Sequence, residues 1–182
     1  MRKPVVMPPW LVKGSRTVIK DRWIDLRADD CATAEGVSIA PYYVLHYPDW
    51  VHVVCLDHLN RICVVAQYRH AVGRTVLELP GGTLDDGEDP LSAAIRELQE
   101  ETGVVASDWC SCGSYATNPA THSNSVHIFK CRAGAIGATR LDDQEEIRSE
   151  FITLSDLRRA IDNGLFGHLL HVGAISRALG LI

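Results

Sequence analysis

The chain has 182 residues, which is enough for one domain or for one domain with an accessory segment, and 46% of them are hydrophobic. Its 18 basic and 23 acidic residues give a net charge of −5 without a basic block, which argues against nucleic-acid binding as the main role. No apolar run is long enough to span a membrane, and Pro4, Pro8 and Pro9 interrupt any signal-like stretch near the start.

Short apolar runs separated by turn-prone residues predict strands along most of the chain. In chain order these strands are 17–19, 23–26, 38–47, 51–56, 61–68, 76–79, 109–115, 126–131 and 148–153, with 51–56 and 61–68 forming a hairpin around 57–60. Two later helices are predicted, one from a cap at Ser155 to a stop at Gly164 and one at about 171–179. The pattern predicts a mixed α/β (α+β) fold, an α/β/α sandwich around a mixed sheet, in residues 49–182. The strands predicted before residue 49 are expected to form a preceding antiparallel β segment, residues 1–48.

One further helix is predicted between Asp89 and Gly103. Aspartate suits the N-cap, Pro90 suits the first helical position, and Gly103 suits a left-handed stop. Apolar residues recur there at the spacing of a buried stripe, namely Leu91, Ala94, Ile95 and Leu98.

Three glutamates on this helix, Glu97, Glu100 and Glu101, share the same spacings among themselves. Like charges at these separations each cost a helix about 0.2–0.5 kcal/mol, so the cluster is unfavourable unless a cation lies among the carboxylates. All-oxygen ligands suit Mg²⁺ or Mn²⁺ better than zinc or copper. The alternative is a solvated acidic face, but Arg96 alone interleaves the acids, so no ladder of salt bridges forms.

The fixed residues extend beyond the helix as Gly82-x5-Glu88-x7-Arg96-Glu97-Leu98-x-Glu100-Glu101-x-Gly103-Val104. This string resembles the signature of the Nudix hydrolases, and every fixed position is filled. The resemblance implies hydrolysis of a nucleoside diphosphate linked to another group, by attack of water on phosphorus with a divalent metal ion. It implies metal ligands at Glu97, Glu100, Glu101 and the backbone carbonyl of Gly81. It also implies that Arg96 orients the carboxylates, with Glu88 as its partner.

Residues around the signature resemble the ADP-ribose pyrophosphatase branch of the family. They are Gln67-Tyr68-Arg69, Leu77-Glu78-Leu79-Pro80-Gly81-Gly82, and Pro119, which lies 15 residues after Val104. The resemblance implies ADP-ribose or a related nucleoside diphosphate sugar as substrate, Mg²⁺ as cofactor, and a homodimer formed with the front sheet. The run 116–124 departs from the branch, whose loop is usually richer in proline and glycine.

Three residues are candidates for substrate binding. Arg69 is expected to bind a phosphate or the distal ribose, because a guanidinium can grip phosphate through two parallel hydrogen bonds; the alternative is an ordinary salt bridge. Glu78 is expected either to bind a ribose hydroxyl or to support its loop. Trp50 is a candidate for stacking on adenine, although core packing is the commoner role of a tryptophan.

The catalytic base is expected in the acidic run Asp142-Asp143-Gln144-Glu145-Glu146, since the branch takes its base from a loop after the signature. Glu145 is the first candidate and Asp143 the second, and Glu101 is the fallback. The alternative is an exposed acidic loop that never reaches the metal.

Two rival functions are compatible with the same residues. One is an enzyme acting on nucleoside triphosphates, other dinucleotides or RNA 5′ ends, against which the Gln-Tyr-Arg run, Pro119 and the front sheet weigh. The other is a non-catalytic ADP-ribose-binding regulator, against which the intact acids weigh. The six cysteines are scattered along the chain, which indicates buried, reduced thiols rather than disulfides. Because thiols stay reduced in the cytoplasm, a cytoplasmic location is expected.

Overall fold

The computed structural model describes residues 6–141 and 146–182. These residues form two compact units. The first contains the described residues up to Tyr47 together with Ala116–Asn124, and the second contains Pro48–Tyr115 and the described residues from Ser125 onward. The predicted combination of a small antiparallel sheet and a larger mixed sheet is confirmed.

The first unit is a three-stranded antiparallel sheet of β1 (Leu11–Lys20), β2 (Asp25–Ala32) and β3 (Ser38–His46). The predicted strands at 17–19 and 23–26 are too short. β1 already begins at Leu11, and β2 continues through the turn-prone residues from Asp29 onward. The Asp29 carboxylate is buried there and accepts hydrogen bonds from Ser15 and Arg27, which compensate its removal from water.

The segment Ala116–Asn124 belongs to this first unit through backbone hydrogen bonds to the end of β3. The Leu45 N–H donates to the Thr121 carbonyl over 2.8 Å, and the Leu45 carbonyl accepts from the Ser123 N–H over 3.1 Å. The loop that contains Pro119 therefore lies beside β3, a contact between distant parts of the chain that local sequence patterns do not report.

The second unit is built on a six-stranded mixed sheet. Its strands are β4 (Trp50–Leu56), β5 (Ile62–Arg69), β6 (Arg74–Glu78), β7 (Val104–Ala116), β8 (Ser125–Ile136) and β9 (Arg148–Ile152). The order is β6-β5-β4-β8-β7, and β9 pairs with residues 62–66 of β5. β4 and β8 are parallel, whereas β5 is antiparallel to β4, β6 and β9.

The predicted hairpin of β4 and β5 is reduced to one paired position, Leu56 opposite Ile62. Along its whole length β4 pairs instead with β8, from Trp50 opposite Val126 to Leu56 opposite Arg132. Such a strand is buried on both faces, and this explains its nearly continuous apolar sequence.

In the described residues three α-helices cover the sheet, α1 (Pro90–Thr102), α2 (Leu154–Asp162) and α3 (Leu169–Ala178). α1 has the predicted ends: the Asp89 carboxylate accepts from the Leu91 and Ser92 N–H groups, and Gly103 is left-handed at φ 69°. The predicted cap Ser155 is wrong. The cap of α2 is Thr153, whose hydroxyl accepts from the Asp156 N–H over 3.1 Å.

Alternate residues of β4 serve two separate cores. Val51, Val53 and Cys55 pack with Ala94 and Leu98 of α1 in one core. On the opposite face of β4, Val54 and Leu56 belong to the other core. That core also contains buried residues of α2 and α3, such as Leu157 and Ile175. The sheet therefore lies between helices on both faces, and the predicted α/β/α sandwich is confirmed.

All six cysteines lie in the described ranges and are free thiols, and Cys110 is the exposed one. In the described part of the chain, no helix combines the length and the apolar surface that a membrane crossing requires.

Candidate active site

The three predicted acidic ligands lie on the last turns of α1 with graded exposure. Glu101 is buried, at 4% exposure, whereas the Glu97 and Glu100 side chains are 14% and 38% exposed. α1 holds them in one cluster because residues three and four apart lie on the same helix face.

The glycine loop, defined here as residues 79–82, runs between β4 and this acidic cluster. The Val53 N–H donates to the Pro80 carbonyl and the Val51 N–H to the Gly82 carbonyl, each over 2.9 Å. The Gly81 N–H donates to Oε2 of Glu101 over 2.9 Å. The loop is therefore held to the sheet on one side and to a carboxylate of α1 on the other.

Neither glycine has room for a side chain. A Cβ on Gly81 would lie 2.0 Å from the Val51 carbonyl oxygen, and a Cβ on Gly82 would lie 2.4 Å from Oε1 of Glu97. The second contact places the Glu97 carboxylate directly against the loop backbone. The two glycines thus permit the close approach of backbone and carboxylates on which the cluster depends.

Arg96 lies between Glu88 and the acidic cluster. Its Nε and Nη2 donate to the two oxygens of Glu88 over 2.9 and 2.8 Å. Its Nη1 donates to Glu97 Oε1 over 2.8 Å and to Glu100 Oε2 over 3.2 Å. One guanidinium therefore contacts three carboxylates.

These hydrogen bonds shift the protonation equilibria of the pair. The bonds from Arg96, followed by the Asp85 N–H, lower the pKa of Glu88 from 4.5 to about 2. The same contact with Glu88 raises the pKa of Arg96. Glu88 and Arg96 are therefore both charged at neutral pH.

The segment after β8 returns to the end of α1. The Gly137 N–H donates to the Gly103 carbonyl over 2.7 Å, and the Arg140 N–H donates to the Glu100 carbonyl over 2.9 Å. The candidate bases Asp143 and Glu145 come within the next five residues but lie outside the described residues. Glu101, the fallback base, is within the cluster.

Arg69 and Glu78, two of the predicted substrate residues, form an ion pair at the ends of β5 and β6. Arg69 donates to Oε2 of Glu78 through Nε at 3.0 Å and Nη2 at 2.6 Å, and Gln67 donates to the same oxygen at 3.1 Å. The Glu78 side chain is 7% exposed and that of Arg69 is 50% exposed. The salt bridge considered for Arg69 is thus present, and half of the Arg69 side-chain surface stays exposed.

Trp50, the third predicted substrate residue, begins β4 and is half-buried. Its backbone pairs with Val126 of β8 and forms a bridge to Thr83, just after the glycine loop.

A cluster of three histidines, His52, His168 and His171, was missed by the sequence reasoning. His52 interrupts the apolar run of β4, and His168 and His171 are three residues apart at the start of α3. These were the signals in the sequence, but only the fold shows that the side chains meet.

The chain matches the family model described as "NUDIX domain" over residues 46–169, and that described as "Nucleoside diphosphate sugar hydrolase N-terminal domain" over residues 10–45. It is similar to the ADP-ribose pyrophosphatase of Bacillus subtilis (strain 168), at 29% identity over 148 residues and 80% of each chain. It is also similar to the methanol dehydrogenase activator of Bacillus methanolicus, at 30% identity over 141 residues and 76% of each chain.

A solved structure described as "Crystal structure of ADP compounds hydrolase" has the same fold, with a TM-score of 0.83 at 18% identity. The likeness covers 98% of this chain and 96% of that one. The match at residues 46–169 is more than half of the 182 residues and contains the whole glycine loop and α1. The chain therefore belongs to the Nudix family and is a Nudix hydrolase.

Proposed function

We propose that the chain hydrolyses the pyrophosphate bond of ADP-ribose or of a related nucleoside diphosphate sugar with Mg²⁺, giving a nucleoside monophosphate and a sugar phosphate. The observation that carries this proposal is the cluster of Glu97, Glu100 and Glu101 against the glycine loop. The similarity to an ADP-ribose pyrophosphatase over 80% of both chains supports the class of substrate.

Nudix hydrolases generally use divalent metal ions, and the residues present fit such an ion. The donors are all oxygens, which hard cations such as Mg²⁺ or Mn²⁺ prefer. Glu97, Glu100, Glu101 and the carbonyl of Gly81 would hold it. When bound, the metal neutralises diphosphate charge and lowers the pKa of a coordinated water.

The chain's own residues supply rigid placement. Arg96 holds Glu97 and Glu100 through one nitrogen, and the Gly81 N–H holds Glu101. Glu88 fixes Arg96 in turn. Because these side chains are already hydrogen-bonded, little reorganisation is needed when substrate binds.

Glu145 is proposed as the general base that takes the proton of the attacking water. It follows Arg140 by five residues in the sequence, and the Arg140 N–H is bonded to the Glu100 carbonyl of α1. Asp143 is the second candidate and Glu101 the fallback.

Arg69 is proposed to contact a substrate phosphate or the distal ribose through its exposed half, with Glu78 holding the guanidinium or accepting from a ribose hydroxyl. Trp50 is proposed to stack on the adenine base. A guanidinium presented by a buried carboxylate is well oriented for bidentate phosphate binding.

Residues 1–48 are proposed to form a dimerisation segment. Every residue of β1 is exposed, including Leu11 at 65%, Val12 at 53% and Ile19 at 50%. Exposed apolar residues concentrated on one strand are typical of a surface that another chain covers. Sedimentation analysis tests this, and a monomer at micromolar concentration would contradict it.

The decisive experiment for the proposed activity is a substrate panel. The protein is incubated with Mg²⁺ and ADP-ribose, GDP-mannose, NADH, diadenosine polyphosphates or dNTPs, and nucleoside monophosphate release is monitored, with an EDTA-treated control. We expect turnover of ADP-ribose or of another nucleoside diphosphate sugar, and none with EDTA. Turnover of dNTPs alone would overturn the substrate class.

A further inference from the structure

Three imidazole rings pack against one another on the side of β4 that faces α3. The ring centroids of His52 and His171 are 3.9 Å apart, and those of His168 and His171 are 4.4 Å apart. His171 therefore lies between the other two rings, and it is only 4% exposed. Its position and ring plane are determined by packing on both sides.

His171 makes one buried hydrogen bond to a residue 92 positions away, in the glycine loop. The Leu79 N–H donates to its Nδ1 over 2.8 Å. A neutral imidazole has one accepting and one protonated nitrogen, so Nδ1 accepts and Nε2 carries the proton. Burial, together with the nearby His52 and His168, holds the pKa of His171 well below 6.5, so the ring stays an acceptor at neutral pH.

The same hydrogen bond argues against a metal centre here. Glu78, His168 and His171 bring three ligand atoms within 4.8 Å of one another. A metal ligand needs a free lone pair, and the lone pair of the neutral His171 ring already accepts from Leu79. Glu78 and His168 alone are fewer ligands than the three or four that protein zinc sites use.

The Leu79 N–H is one of two backbone donors that flank Pro80 in the glycine loop. Pro80 itself has no N–H, so Leu79 and Gly81 are the donors on either side of it. The Leu79 N–H is bonded to His171 on α3, and the Gly81 N–H is bonded to Glu101 on α1. The loop is therefore held from helices on both faces of the sheet.

We infer that His171 is a positioning residue for the glycine loop, which it holds through the Leu79 N–H so that Gly81 meets Glu101. The inference rests on the proposed function, in which Gly81 and Glu101 hold the metal ion. Without the acceptor, a buried N–H has no partner, and the loop must shift to satisfy it. Groups that orient metal ligands in this indirect way typically change metal affinity by about 10–100-fold when they are removed.

Two variants of similar shape isolate the acceptor. His171→Leu removes it, whereas His171→Asn places a carbonyl oxygen near the position of Nδ1. We expect His171→Leu to weaken Mn²⁺ binding about tenfold or more, measured by electron paramagnetic resonance, and His171→Asn to stay within about threefold of the wild type. Equal Mn²⁺ affinity in the wild type and a folded His171→Leu would overturn the inference.

Ile175→Ala is the matched control, because Ile175 is a buried residue of the same helix and has no part in the Leu79 bond. We expect it to lower the melting temperature and leave Mn²⁺ affinity unchanged. A loss of affinity equal to that of His171→Leu would show a general effect of loosening α3 and would overturn the inference.

A measurement on the wild type covers the case in which the His171 variants do not fold. Imidazole ¹⁵N spectra should show an unprotonated Nδ1 for His171, coupled across the hydrogen bond to the Leu79 amide. A protonated Nδ1 would overturn the inference. Failure of the wild type to bind Mn²⁺ would instead contradict the proposed function, so the two failures are distinguishable.

Discussion

Arg96 and Glu88 form a two-point ion pair, in which Nε and Nη2 donate to separate carboxylate oxygens over 2.9 and 2.8 Å. The remaining nitrogen, Nη1, donates to Glu97 over 2.8 Å. Glu88 lies just before the helix and Glu97 within it, so the guanidinium ties the acidic cluster to the loop that precedes α1.

Arg96→Lys tests whether this planar fork is required. A lysine keeps the charge but cannot donate to Glu88, Glu97 and Glu100 in one geometry. We expect kcat/KM for ADP-ribose to fall about 10–100-fold, as measured by steady-state kinetics. Arg159→Lys, in a pair with Asp156 whose side chains are 72% and 43% exposed, is the control and should be neutral. Unchanged kinetics in Arg96→Lys would contradict the orienting role.

The pKa of Glu88 predicts a pH-dependent contribution to stability. Its pKa is lowered from 4.5 to about 2 in the folded chain, chiefly by the hydrogen bond from Arg96. A lowered carboxyl pKa stabilises the fold above the unfolded value and ceases to do so as the pH falls from about 4.5 to about 2. We expect urea denaturation to show a difference in unfolding free energy between the wild type and Glu88→Gln that shrinks over this window. A difference independent of pH would be inconsistent with the pair.

Gly81→Ala and Gly82→Ala should fail in different ways. At Gly81 the new Cβ meets backbone, 2.0 Å from the Val51 carbonyl oxygen, so we expect a lower melting temperature. At Gly82 it meets the movable end of Glu97 at 2.4 Å, so we expect loss of Mn²⁺ affinity and activity with a smaller change in stability. Gly173→Ala is the control, because its new Cβ would meet no atom within 4 Å beyond its chain neighbours and its own helix backbone. Wild-type activity in Gly82→Ala would show that the Glu97 position is not critical.

Glu101→Gln should reduce turnover by at least the about 10–100-fold that loss of a ligand's hydrogen-bond partner typically costs, while the fold remains intact. Glutamine keeps an oxygen that can accept from the Gly81 N–H and has almost the same volume, but it lacks the negative charge. Steady-state kinetics and circular dichroism measure the two properties. Glu150→Gln, at an exposed residue of β9, is the control. Full activity in Glu101→Gln would refute the assignment of Glu101 as a metal ligand.

Glu145→Gln tests the proposed base. Loss of a general base typically lowers kcat by about 10²–10⁴-fold, and KM should change little. Asp143→Asn is the matched comparison, two residues away in the same acidic run. A larger loss in Asp143→Asn would move the role to that residue, and wild-type kcat in both variants would favour Glu101.

Local sequence patterns were sufficient to predict those features whose determining residues are close together in the sequence. Asp89, Pro90 and Gly103 define both ends of α1, and the clustering of the acids it carries is a result of helical spacing alone. Strand pairing was not predictable in this way. β4 pairs along its length with β8 and at only one position with β5. The sequence of a single apolar strand does not indicate which other strand will pair with it.

The site shows the same division. The acids and Arg96 lie within one short signature, whereas the bond between Leu79 and His171 joins residues 92 positions apart. Asp29 is a similar case, because its turn preference yields to hydrogen bonds from Ser15 and Arg27 that only the assembled sheet provides. Interactions of this kind depend on tertiary structure and have no short-range pattern.

The backbone hydrogen bonds between Leu45 and the Ala116–Asn124 segment limit where the chain can be truncated. The amino-terminal sheet is hydrogen-bonded to a segment that lies about 70 residues later in the sequence, so no single cut separates the two units. A truncation that starts at Pro48 would retain Thr121 and Ser123 while deleting the strand that satisfies them.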